Sequence, residues 1–124
     1  MRYLCQVWFE PSMLERMSDE EKRALDRDSA GYDLDLEVSG HMIHAEALQA
    51  PSAAVTVKVR NGEMAMTDGP FAETKEQLGG FILIEAKDLN DAIRVAAGIP
   101  LAKYGSIEVR PVYDFKSKLQ EAAR

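Results

Sequence analysis

"SAGYDLDLEVSG", residues 29–40, decides the fold, because it can be read in two ways. Tyr32, Leu34, Leu36 and Val38 alternate with Asp33, Asp35 and Glu37, which is the period of a half-buried strand. Yet Leu25, Ser29, Tyr32 and Leu36 make a stripe at helical spacing, and Gly40 stands where a helix-ending glycine belongs. Upstream, Ser18 before Asp19, Glu20 and Glu21 supplies an N-cap with acids in the first turn, and Glu21 occupies the capping-box position. The segment is therefore read as a helix from Ser18 to Gly40. Gly31 is its weak point, since a mid-helix glycine costs about 1 kcal/mol relative to alanine.

Strands flank this helix. Arg2 to Glu10 alternates, with Tyr3, Cys5, Val7 and Phe9 on one face and Arg2, Leu4, Gln6 and Trp8 on the other. "HMIHAEALQ", residues 41–49, places Ile43, Ala45 and Ala47 on an apolar face and Met42, His44, Glu46 and Leu48 on a mixed one. Val55, Val57 and Val59 then alternate with Thr56, Lys58 and Arg60. Asn61-Gly62, the strongest short hairpin signal, turns the chain back through Glu63 to Thr67.

Asp68-Gly69 ends that strand, Pro70 is placed to open a short helical turn, and Gly79-Gly80 closes the loop. "FILIE", residues 81–85, is apolar on both faces and reads as a central strand. Asp88 caps a second helix whose face is Leu89, Ala92, Ile93 and Ala96, stopped by Gly98-Ile99-Pro100. A last strand runs from Ser106 to Val112, and the tail from about residue 114 is helical or frayed.

The order is strand, helix, strand, hairpin, strand, helix, strand, in one domain spanning all 124 residues. It specifies an α+β fold, a ferredoxin-like sandwich with an antiparallel sheet and an inserted β-hairpin. Two helices cover one face of such a sheet. The other face keeps Leu4, Trp8, Met42, Leu48 and Val112 among polar residues, and a face this apolar calls for a homodimer. Space left over the face forms a cleft lined by Arg2, Gln6, Trp8, His44, Glu46, Glu108 and Arg110.

Composition narrows the partners. The formal net charge is −6, from 15 basic and 21 acidic residues, and the basic ones are scattered, so no contiguous positive surface for nucleic acid is expected. The N-terminus has one basic residue and an apolar stretch broken by Gln6 and Glu10, unlike a signal peptide or a membrane span. The single cysteine, Cys5, sits in an apolar run and reads as a small buried side chain, which fits a reducing, cytoplasmic setting.

"TDGPFAETKEQLGGFILIEAKDLNDAI", residues 67–93, followed by "IP" at 99–100 and "YGSIEVRPV" at 104–112, resembles the DGPF-type branch of the YCII-related family. The resemblance covers about residues 40 to 112, and weakly the first strand and helix. It implies a ferredoxin-like fold assembled into a dimeric α+β barrel, similar in architecture to small isomerases and monooxygenases. It also implies that DGPF-type members are often encoded beside sigma factors of the extracytoplasmic-function type. YCII-like proteins proper carry a histidine on the first helix and an acidic residue before the late proline. Here residues 18–39 contain no histidine and Ile99 precedes Pro100, so that pair is not carried over.

The candidate chemistry is cofactor-free. His44 and Glu46 are two apart on a strand and share the open face, where the carboxylate can orient the imidazole as a general base. His41 points to the opposite face from His44, so the two make no metal pair, and no metal is assigned. Asp68 is a candidate proton acceptor and Lys75 an anion anchor at the rim, although Asp68, Gly69, Pro70 and Lys75 also each have a local role in a turn. Arg2, Trp8, Glu108 and Arg110 complete the candidate substrate-binding set. These residues support a small homodimer that binds a small organic molecule. The competing readings are a non-catalytic regulator or protein-interaction partner, and a scaffold whose Asp68-Gly69-Pro70-Phe71 loop serves stability alone.

Overall fold

The computed structural model describes residues 1–123. Residues 29–38 form the closing turns of a helix: β1 (Arg2–Phe9) leads through a short α1 (Ser12–Arg16) into α2 (Asp19–Val38). Ser18 Oγ accepts from the Glu21 N–H at 3.1 Å, and the Glu21 carboxylate accepts from the Ser18 N–H at 3.0 Å, closing the capping box. The Ser18 backbone and side-chain bonds hold the Glu21 carboxyl below its usual range.

Packing decided against the alternating pattern. Leu36 is 4 % exposed in the core, whereas Leu34 and Val38 remain 59 % and 84 % exposed, because only a helical stripe of α2 meets the sheet. The Tyr32 hydroxyl donates to the Val95 carbonyl at 2.6 Å, tying α2 to α3 (Leu89–Gly98).

After α2 come β2 (Met42–Ala47), β3 (Val55–Arg60), β4 (Glu63–Asp68) and β5 (Gln77–Glu85). Then α3 leads to β6 (Ser106–Pro111) and α4 (Phe115–Ala122). The four-stranded sheet has the order β2-β5-β1-β6, with every neighbouring pair antiparallel. Its core face carries Tyr3, Cys5 and Val7 of β1 and Ile82 and Ile84 of β5, packed against Leu36 of α2 and Ala92, Val95 and Ala96 of α3. Asp88 caps α3 by accepting from the Asp91 N–H at 2.8 Å. Asp114 caps α4 in the same way through Ser117, so the tail is helical.

Cys5 has no exposed surface, and burial pushes its thiol pKa up to about 11. In the native protein it should react with a disulfide reagent at neutral pH more than about 100-fold more slowly than in denaturant, since the thiolate is the nucleophile. Reaction as fast as that of the unfolded chain would contradict the buried placement.

Several expectations need correction. The dimeric α+β barrel is not what forms: the four-stranded sheet is open, with free edges at β2 and β6, and β3 and β4 make a separate two-stranded ribbon. Closing a barrel requires the outer edges of the end strands to be hydrogen-bonded as well, and β2 and β6 pair only on their inner sides. The fold is α+β with antiparallel sheets, and the hairpin is not an extension of the main sheet.

Gly79-Gly80 lies within β5 rather than closing a loop. A side-chain carbon on Gly80 would come 2.7 Å from the Glu46 carbonyl oxygen, and one on Gly79 would strike the Phe9 ring. Strands β2 and β1 therefore approach β5 over bare backbone. Residues after Pro70 make bends, not a helical turn. A register shift between Met42 and His44 turns Ile43 outward at 45 % exposed, so Met42 and Ala45 face the core instead of Ile43 and Ala47.

Candidate functional site

The strand registers arrange the uncovered face of the sheet in rows. His44, Leu83, Leu4 and Arg110 are aligned across β2, β5, β1 and β6, and Glu46, Phe81, Gln6 and Glu108 form the next row. The centre of this face is thus largely apolar. Each edge strand carries one polar pair, with His44 Nε2 3.3 Å from Glu46 Oε2 on β2 and Arg110 donating to Glu108 at 2.8 Å on β6. Three strand spacings separate the two pairs, about 14 Å, so one small molecule does not bridge them directly. The His44 ring also rests 6.1 Å from that of Phe81.

Trp8 stands at one end of β1, where it aligns with Leu78 and Ser106. Arg2 is at the other end, about 20 Å away along the strand, and its register partner is Glu85. The structure therefore splits the candidate residues into a Trp8 end, a central region of polar pairs and a distant Arg2.

The Trp8 end holds the concave features. A cavity of about 430 Å³ is lined by Trp8, Leu48, Pro51, Pro70, Phe71 and Leu78, with Gln49 and Gln77 among its few polar side chains. Beside it an open cleft collects Trp8, Lys75, Glu76, Ser106 and Glu108. The Ser106 hydroxyl donates to the Glu76 carboxylate at 3.0 Å, and Gln77 Nε2 donates to the Ala72 and Thr74 carbonyls at 3.0 and 2.7 Å, stapling the loop.

Asp68 ends β4, is exposed and pairs in register with Val55, away from His44 and Glu46. The turn after it is held by other groups. The Gly69 N–H donates to the Ala54 carbonyl at 2.7 Å, and the Thr56 hydroxyl donates to the Gly69 carbonyl at 3.0 Å. Gly69 has φ +100, a shape that side-chain-bearing residues resist. Lys58 lies 5.7 Å over the Phe71 ring, adding a cation–π contact between ribbon and loop.

Two groupings escaped the sequence reading. On the helix side, a cavity of about 180 Å³ between α2, β2, β5 and the turn at Pro100 is lined by Tyr32, Asp33, Ala45, Gly80, Ile82 and Leu101, among others. Burial, helped by Glu37, raises the Asp33 carboxyl above its usual range. Elsewhere, Ser39, His41 and Asp91 form a chain: Ser39 Oγ is 2.7 Å from His41 Nδ1, and His41 Nε2 is 3.1 Å from Asp91 Oδ2. Ser39 Oγ also donates to the Leu36 carbonyl at 3.2 Å. Asp91 accepts in addition from the Lys87 N–H at 3.0 Å. Each bond thus secures a helix end, and together they pin the close of α2 to the start of α3. His41 and Asp91 are 50 positions apart, so no local spacing signals the contact.

The Lys87 N–H, and then His41, hold the Asp91 carboxyl below its usual range. A depressed folded-state pKa contributes stability above the unfolded value of 3.8 that is lost as pH falls through the folded value. Asp91→Asn should therefore be less stable than wild type near neutral pH, with the difference shrinking below about pH 4. Denaturant titrations of both proteins across that range measure it, and a difference independent of pH would contradict the assignment.

Among the described residues no group of three or more His, Cys, Asp or Glu could hold a metal ion, and no helix is long and apolar enough to cross a membrane. The family profile described as the YCII-related domain matches residues 1–116. An uncharacterised protein of Rhizobium meliloti (strain 1021) is 35 % identical over 118 residues, covering 94 % of this chain and 95 % of that one.

Proposed function

The chain belongs to the YCII-related family, and we propose that it is a small homodimeric protein that binds a small, mostly apolar organic molecule against Trp8. The observation that carries this reading is the cavity of about 430 Å³ between Trp8, Leu78 and the Asp68-Gly69-Pro70-Phe71 loop. Its volume falls in the range of small-molecule sites, and its lining is apolar apart from a few polar groups that can orient a ligand. Lys75 and Ser106, in the adjoining cleft, are placed to meet a polar substituent projecting from it. The dimer rests on the uncovered face, whose Leu4, Phe81 and Leu83 are half-buried and offer an apolar centre between polar edges.

Trp8 is the only tryptophan, so its fluorescence reports on this cavity directly. Titration with 1-anilinonaphthalene-8-sulfonate should quench Trp8 emission to saturation, and Leu78→Arg should weaken the apparent affinity at least about tenfold while leaving the circular dichroism unchanged. Equal, non-saturating quenching of both proteins would refute the site. A thermal-shift screen against small metabolites then identifies the natural ligand class.

A second reading, acid–base chemistry by His44 with Glu46, is favoured by their 3.3 Å contact on the same face. Once a ligand is found, His44→Ala would keep its binding but abolish any turnover. Turnover undiminished in that variant would exclude His44.

A further inference from the structure

We infer that the β3–β4 ribbon is an arm that docks on a second copy of this chain through its Val/Met face, an inference that rests on the homodimer reading above. The ribbon's two faces are clear from its register: Val57 pairs with Met66 and Val59 with Met64, while Thr56 pairs with Thr67 and Lys58 with Ala65. Because side chains alternate, Val55, Val57, Val59, Met64 and Met66 share one face, with Asp68 beside Val55 at its base, and Thr56, Lys58, Ala65 and Thr67 share the other.

The polar face is the one turned to its own chain. Thr56 bonds to the Gly69 carbonyl, and Lys58 lies over Phe71. The Val/Met face points outward, and each of its five apolar side chains is more than half exposed. A chain folding only for itself has the reverse incentive, and a slip of one residue would bury those side chains. The Asn61-Gly62 turn, with φ +53 and +77, fixes the register that keeps them outside. Ribbon and main sheet have no extensive packing contact, and a lone two-stranded ribbon is marginal in water, so its order calls for cover on the exposed face.

The area selects a second copy as that cover. The five side chains present on the order of 500 Å² per chain, near the upper end for an exposed patch on a monomer. Doubled by a two-fold axis and joined to the uncovered sheet face, this exceeds the roughly 1,200 Å² total that a stable interface needs. The base of the ribbon adjoins the uncovered face, because Ala53, Ala54 and Pro70 there line the same cavity as Trp8 and Leu78.

The test is light scattering with size exclusion on the full chain, comparing wild type, Leu4→Glu on the sheet face, and Val57→Glu with Met66→Glu on the ribbon. A dimeric wild type, with the ribbon variant dissociating at least about tenfold more readily and its circular dichroism unchanged, is the expected result. A wild type that dimerises and is disrupted only by Leu4→Glu overturns the arm while leaving the homodimer. A monomeric wild type overturns both. Should the charged ribbon variant fail to fold, Val57→Cys provides the decision, since Cys5 is buried and the introduced thiol alone reacts. Its labelling rate should fall at least about tenfold from dilute to concentrated protein, and a rate independent of concentration overturns the arm.

Discussion

Gly80→Val should destabilise the protein by about 3 kcal/mol or more, read as an earlier midpoint in a urea titration. The reason is backbone, not side chain. A β-carbon on Gly80 would sit 2.7 Å from the Glu46 carbonyl oxygen and 3.3 Å from the Ala47 Cα, and neither can swing aside as a flexible side chain would. To relieve the clash, β2 must move off β5, which breaks the pairings of Glu46 with Phe81 and Ala47 with Gly80 and loosens the edge that carries His44. Gly31→Val is the control, since Gly31 has open space around it and its change carries only a difference in helix propensity of a few tenths of a kcal/mol. If Gly80→Val were as mild as Gly31→Val, the close approach of β2 to β5 would be wrong.

Ile84→Ala should cost about 4 kcal/mol, lowering the melting temperature by about 15 °C. Ile84 has no exposed surface, and it pairs with Tyr3 on one side and Met42 on the other, at the centre of the layer under α2 and α3. Removing three carbons there loses their transfer free energy and leaves a void that a rigid sheet fills poorly. Ile93, on the outer side of α3 and 48 % exposed, should lose less than about 1 kcal/mol on the same change. Similar losses at both positions would mean that the core does not lie where the register places it.

The Trp8 cavity shows why the site was only half legible. Trp8, Glu108 and Lys75 were identifiable as chemistry-bearing residues, and the first two follow from strand alternation. That Trp8 lines one cavity with Phe71 and Leu48, while Arg2 lies at the far end of the same strand, depends on how the 48–54 and 69–78 segments fold over one end of the sheet. The loop was legible as a turn through Asp68-Gly69, but the bonds that hold it come from Thr56 and Ala54, more than a dozen positions away.

By itself the sequence determined what local periods and end signals encode. It specified the Ser18 capping box, the Asp88 cap, the Asn61-Gly62 ribbon and the alternation of β1 around Cys5. Tertiary structure alone decided the rest. It set Gly79-Gly80 inside a strand, slipped β2 at Ile43, joined His41 to Asp91 and left the sheet open. The physical reason is common to all four. Periodicity and caps act within a few residues, whereas close backbone approach, the choice of buried stripe and the fate of a sheet edge depend on what distant segments bring alongside.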